Sequence, residues 1–98
     1  MKNKRSKLEN KLYDVIFLND DTTTMEFVVR ILMQIFSKDH FKAEKIMRRV
    51  HEEGEGIVGS YLHEIAGQKK IETATRAEQE NFPLKVLIKK QKGIKYEK

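Results

Sequence analysis

Hydrophobic and polar positions divide the chain into alternating strand-like and helix-like stretches. Leu12, Tyr13, Val15, Ile16, Phe17 and Leu18 bring β-branched and aromatic side chains together, which suits a half-buried strand. Asn19, Asp20 and Asp21 end it, because short polar side chains bond their own backbone in turns. Thr23 followed by Glu26 has capping-box spacing, so a first helix is expected from about Thr24 to Phe36. Its polar residues Glu26, Arg30 and Gln34 recur at helical spacing as one narrow stripe, which predicts burial on most other sides. Ser37 to Asp39 offers a break and a new cap. A second helix is expected over His40 to Glu53, with Ala43, Ile46, Met47 and Val50 on one face and Gly54 and Gly56 ending it. Gly56 to Tyr61 alternates weakly and predicts a short strand. From about Leu62 to Glu80 the Glu, Lys, Gln and Ala content favours a third helix, although its apolar stripe thins after Leu62, Ile65 and Ala66. Asn81 and Pro83 stop that helix, and Leu84 to Ile88 reads as the last strand. The order β-α-α-β-α-β implies an α+β fold, a three-stranded antiparallel sheet with three helices packed on one face. There is no internal repeat.

Composition narrows the function classes. A chain of 98 residues with 39% apolar content supports one modest core and not two domains. With no cysteine, disulfides and thiolate metal sites are excluded, which fits a reducing cytoplasm. Apolar runs such as Val15 to Leu18 are far below the roughly 20 residues needed to span a bilayer, and the lysine-rich start lacks the apolar stretch of a secretory signal. Neither a membrane partner nor export is expected. The net charge of +5 suggests nucleic acid until it is located along the chain. Met1 to Lys11 and Lys89 to Lys98 each carry five bases and one acid, so removing these two +4 ends leaves the body from Leu12 to Ile88 at −3. A net negative body is a poor platform for phosphates. The organisation expected is a flexible basic arm over residues 1–11, a folded domain over 12–89 and a lysine-rich tail over 90–98. A basic nucleic-acid or ribosome-associated module acting through the tails is the alternative of a different class.

Asn19 and Asp21, at the end of the first strand, and His51, where the apolar face of the second helix meets its rim, are the candidates for chemistry. Each also has a plain structural explanation: a turn, and a half-exposed helix histidine. Met25 and Met47 are core fillers by default. Catalysis has less support. Ser6, Ser37 and Ser60 lie in no recognisable nucleophile elbow, and Gly54, Gly56 and Gly59 match no phosphate loop. His40, His51 and His63 stand 11 and 12 residues apart without a metal-binding pairing. No enzyme, cofactor or metal is expected.

The segment Tyr13 to Glu26, Y-D-V-I-F-L-N-D-D-T-T-T-M-E, continues F-V-V and is followed at Met47 to Gly54 by M-R-R-V-H-E-E-G. These blocks, with Gly59, Glu64, Ala66, Lys69 and Asn81 to Leu84 in register, closely resemble the bacterial ClpS adaptor family over about Leu12 to Lys89. The resemblance implies a monomeric adaptor that binds N-terminal peptides of substrates beginning with Leu, Phe, Tyr or Trp and delivers them to the unfoldase ClpA with its peptidase ClpP. It also implies that Asn19, Asp21 and His51 hold the substrate α-amino group, with Asp20 at the rim. By the same resemblance Phe17, Thr23, Met25, Val28, Met47, Val50 and Leu84 line the pocket for the first side chain, Met25 guarding against β-branched residues. Glu64 and Lys69 match positions that touch the N-terminal domain of ClpA.

Elementary chemistry agrees with those roles. An α-ammonium has three donors, and an amide oxygen, a carboxylate and a neutral imidazole nitrogen are three acceptors. Charge-assisted bonds contribute roughly 1.5–3 kcal/mol each and a buried Leu or Phe side chain roughly 1.5–3 kcal/mol more. After association costs, micromolar affinity, about 8 kcal/mol, is expected. Two departures from the family stand out. Thr24 replaces its proline in the first helical turn, a place threonine also tolerates. The N-terminal arm, which helps trigger delivery in the family, is short here.

Overall fold

In the computed structural model, which describes residues 11–91, the apolar run Leu12–Leu18 forms β1, the central strand of the sheet. The chain continues through α1 (Met25–Gln34), α2 (His40–Glu53), β2 (Glu55–Leu62), α3 (His63–Gln79) and β3 (Lys85–Lys90). Both outer strands pair antiparallel with β1, giving the order β2-β1-β3 and the expected α+β architecture. The basic arm and the lysine-rich tail lie outside the described residues apart from Lys11, Lys90 and Gln91, and Lys90 is the last residue of β3.

Alternation along β1 sends side chains to opposite faces. Val15 and Phe17 are fully buried in the core cluster with the helices, and the Phe17 ring meets Phe36 edge-on at 5.6 Å. On the other face Ile16 stands in register between Ile57 and Leu87, both of them exposed. The pairing slips between Val15, opposite Gly59, and Ile16, opposite Ile57, so that Val58 is the extra residue of a bulge. Through that slip both Val58 and, farther along, Tyr61 pack against the core.

Observed helices differ from the expected ones in informative ways. The cap of α1 is Thr24 rather than Thr23: the Thr24 hydroxyl oxygen accepts the Phe27 N–H at 3.1 Å. The Thr23 side chain is held elsewhere, its hydroxyl donating to Asp20 at 2.8 Å. The shift puts Phe27, not Glu26, at the third helical position, so no capping box forms. Nor is α1 buried on most sides. Phe27, Val28, Ile31 and Leu32 form its buried stripe, continued past its end by Ile35 and Phe36, while Met25 and Met33 are exposed and Val29 is half-buried. Those three instead border a hollow that α1 shares with α2. The thin stripe of α3 has a similar explanation. Its buried residues are Ala66, Thr73 and Ala77, small side chains that let the helix lie close to its neighbours, and the Thr73 hydroxyl donates to the Lys69 carbonyl at 2.8 Å. Ile65 and Ile71 point outward.

Among the described residues no helix is long and apolar enough to cross a membrane. Within the same residues, no group of His, Cys, Asp and Glu side chains gathers as a metal site would require.

Candidate functional site

The end of β1, the loop leading into α1 and the last turn of α2 meet at one corner, and backbone chemistry draws them together. Gly54 caps α2 with φ 91°, a left-handed conformation that glycine adopts without a Cβ penalty. Its N–H donates to the Val50 carbonyl and its own carbonyl accepts the Asn19 N–H, both at 2.9 Å. The helix end is thereby tied to the strand end. The Asn19 side chain adds a long bond, its Nδ2 donating to the His51 carbonyl at 3.5 Å. That contact turns the amide nitrogen toward the helix, where the last carbonyls lack intrahelical partners, and leaves Oδ1 available to accept.

The two aspartates of the loop have separate duties. Asp20 builds the turn: Oδ1 accepts the N–H groups of Thr22 and Thr23 at 2.8 and 2.7 Å, and Oδ2 accepts the Thr23 hydroxyl at 2.8 Å. Partial burial pushes its carboxyl up, but these hydrogen bonds outweigh that effect and hold it below the ordinary value. Asp21, by contrast, is exposed, and its carboxylate has no hydrogen-bond or ion-pair partner among the described residues. The His51 imidazole, in the last turn of α2, is likewise exposed and unpartnered among those residues.

Between them lies a hollow of about 390 Å³ bordered by Asn19, Asp20, Asp21, Thr22, Thr23, Thr24, Met25, Met47, Val50 and His51. Its polar lining includes the Asn19 amide, the Asp21 carboxylate and the His51 imidazole, and its apolar lining comes from Met25, Met47 and Val50. Such a site can accept three hydrogen bonds from a cation and cover a hydrophobic side chain attached to it.

Every residue expected around the α-amino group thus sits at this hollow, as do Thr23, Met25, Met47 and Val50. Thr22 and Thr24 border it as well. Only the polar run between Asp21 and Met25 hinted at them. Phe17 and Val28, which the resemblance also implied, lie in the buried core at 0% and 6% exposure and do not border this hollow directly. Leu84 borders a different hollow, with Ile71, Phe82 and Pro83. Glu64 is exposed in the first turn of α3. Lys69 is half-buried and engaged internally: its Nζ donates to the Ile35 carbonyl at 2.8 Å and stands 5.5 Å from the ring centroids of both Phe36 and Tyr61. Five residues apart on a helix, Glu64 and Lys69 lie about 140° apart around its axis.

Residues 8–87 match the family described as ATP-dependent Clp protease adaptor protein ClpS. Similar proteins include the ATP-dependent Clp protease adapter protein ClpS of Campylobacter jejuni subsp. jejuni serotype O:23/36, 45% identical over 83 residues that cover 85% of this chain and 86% of that one. The protein of the same name from Desulfotalea psychrophila is 48% identical over 83 residues, covering 85% and 81%. Among solved structures, Agrobacterium tumefaciens ClpS2 bound to L-phenylalaninamide is similar with a TM-score of 0.80 and 30% identity, over 84% of this chain and 99% of that one.

Proposed function

The chain belongs to the ClpS family of ATP-dependent Clp protease adaptor proteins, and from that premise we propose that its hollow grips the first residue of a substrate polypeptide and that the bound chain is then passed to a Clp unfoldase such as ClpA. The observation that carries this reading is that Asn19 Oδ1, the Asp21 carboxylate and the His51 imidazole, without partners among the described residues, belong to side chains that border the same hollow as Met25, Met47 and Val50. A free chain start combines a three-donor cation with an adjacent side chain. L-Phenylalaninamide, the molecule bound to the Agrobacterium tumefaciens neighbour, has the same parts: a free α-amino group, an apolar side chain and an amide where a polypeptide would continue.

The roles divide accordingly. Asn19, Asp21 and His51 accept from the ammonium. Met25, Met47 and Val50 cover the first side chain, with Thr23 at its edge. Asp20 shapes the loop and leaves the ammonium to Asp21. Recognition needs no bond making, so the protein works without catalytic groups, and its place is the cytoplasm, where the ATP-driven unfoldase acts. Glu64 is the contact we assign to the unfoldase, since its side chain is exposed.

Fluorescence anisotropy with labelled peptides tests the reading. A peptide beginning with Leu or Phe binds near the micromolar level, whereas the same peptide with an acetylated start, or beginning with Val, does not. Equal binding of all these peptides would remove the case for a chain-start site.

A further inference from the structure

We propose that oxidation of Met25 and Met47 to methionine sulfoxide switches this site off, so that substrate capture responds to peroxide. The inference rests on the chain-start reading above and concerns its regulation. Met25, Met33 and Met47 all border one hollow of about 330 Å³ between α1 and α2. Two of them, Met25 and Met47, also border the candidate site, where Val50 is the only other apolar side chain. The hydrophobic character of the pocket therefore resides largely in two thioethers. Both are reachable: Met25 is 47% exposed and Met47 is half-buried, against 39% for Met33. The chain contains no cysteine, so no thiol of its own intercepts the oxidant.

The chemistry balances with hydrogen peroxide as oxidant. A sulfur lone pair attacks one peroxide oxygen, the S–O bond forms as the O–O bond breaks, and the proton on the transferred oxygen leaves with the departing hydroxide as water. Sulfur gives up two electrons and peroxide is reduced. The sulfoxide is polar and chiral where the thioether was soft and apolar. A Leu or Phe side chain entering the pocket would then have to desolvate an S=O dipole in place of an apolar thioether, and affinity should fall by roughly tenfold or more.

The test uses the full chain, treated with hydrogen peroxide, with mass spectrometry to read the oxidation of each methionine and anisotropy to read the Kd of a Leu-initiated peptide. The expected result is a rise in Kd that follows oxidation of Met25 and Met47 and is reversed by methionine sulfoxide reductases of both stereospecificities. Bound peptide should slow oxidation at those two positions and not at Met33. Each variant is compared with itself before oxidation. Met33→Leu keeps the tenfold response, and the double variant Met25→Leu with Met47→Leu loses it, leucine being a conservative exchange in shape. A Kd unchanged within twofold when both sulfoxides have formed would overturn the proposal, as would an equal response in the double variant. Failure of the untreated chain to bind any Leu-initiated peptide would instead defeat the chain-start reading itself.

Discussion

Replacing Lys69 by methionine preserves most of the side chain's length and removes its ammonium. That ammonium supplies a hydrogen bond of 2.8 Å to the carbonyl of Ile35, the C-cap of α1, and sits over the rings of Phe36 and Tyr61. A hydrogen bond from a charged donor contributes about 1.5–3 kcal/mol, and a cation held over an aromatic ring about 0.5–1 kcal/mol at exposed sites. One group makes all these contacts, so they overlap rather than add, and a net loss of about 2–3 kcal/mol is expected for Lys69→Met. At about 4–8 °C per kcal/mol for a domain of this size, the melting temperature should fall by about 8–24 °C. Urea titration and thermal denaturation followed by circular dichroism measure both, with an unchanged urea slope showing that stability alone has moved. A loss under about 0.5 kcal/mol, the range of ordinary surface changes, would refute the internal role. Glu64→Gln, at an exposed position on the same helix, supplies the comparison. It should leave stability within about 0.5 kcal/mol, so any weakening of unfoldase binding in that variant reflects the contact and not the fold.

Ser37 follows α1 in the left-handed region at φ 56°, where the Lys38 N–H closes on the Leu32 carbonyl at 3.0 Å; Ser37→Gly should stabilise by about 0.5–1 kcal/mol, read as a raised urea midpoint. The lowered Asp20 carboxyl contributes stability that is present above its ordinary value of 3.8 and is lost as pH falls through the folded value. Asp20→Asn should therefore flatten the acid limb of a stability profile below about pH 4 and weaken the fold at pH 7 by about 1 kcal/mol. Asn19→Ala removes an exposed 3.5 Å bond and should change stability by at most about 0.5 kcal/mol, yet loss of its acceptor should weaken a Leu-initiated peptide by about tenfold or more in anisotropy.

Elements with strong local patterns were legible in the sequence. β1 matched the run Leu12–Leu18 and α2 matched His40–Glu53, because β-branched crowding and a regular apolar stripe survive any tertiary arrangement. Asn19, Asp21 and His51 could be picked out as candidates, but each had a plain structural explanation, and it was the family likeness that joined them and gave them roles. What stayed hidden depends on partners distant in the chain. Lys69 looks like a surface lysine until Ile35, Phe36 and Tyr61 are brought to it. The family likeness set Asp21 apart from Asp20, but the reason, that Asp20 is spent on the hydrogen bonds of the threonine loop and Asp21 is not, appears only in the fold. The exposed side of α1 could not be read either, since its apolar positions almost surround the helix and only packing reveals that Met25, Val29 and Met33 border a hollow.

Gly56 shows how a backbone position outside the pocket can set its shape. The residue is buried in β2, and a Cβ added there would stand 2.9 Å from Val50 Cγ2 and 3.6 Å from Arg49 Cγ. Val50 is 3% exposed and lines the candidate site, so the valine is held between the strand and the hollow. A β-branched side chain in a helix has one strongly preferred rotamer. Val50 therefore has little freedom to swing aside, and Gly56→Ala must lift α2 or push the valine toward the pocket. Removing a strand glycine gains about 0.5–1 kcal/mol and overpacking costs about 1–3 kcal/mol, so a net loss of about 0.5–2 kcal/mol is expected. Val50→Ala alone should cost about 2 kcal/mol through the space it leaves. Combined, the two changes compensate, because the new methyl group occupies space that the valine has vacated, and a double-mutant cycle should return a favourable coupling above about 0.5 kcal/mol. Peptides beginning with Phe should lose more affinity than those beginning with Leu in Gly56→Ala, the wider ring meeting the displaced wall first. Strict additivity of the two substitutions in urea titrations would mean that strand and helix do not press on each other through Val50, and that the pocket wall is set elsewhere.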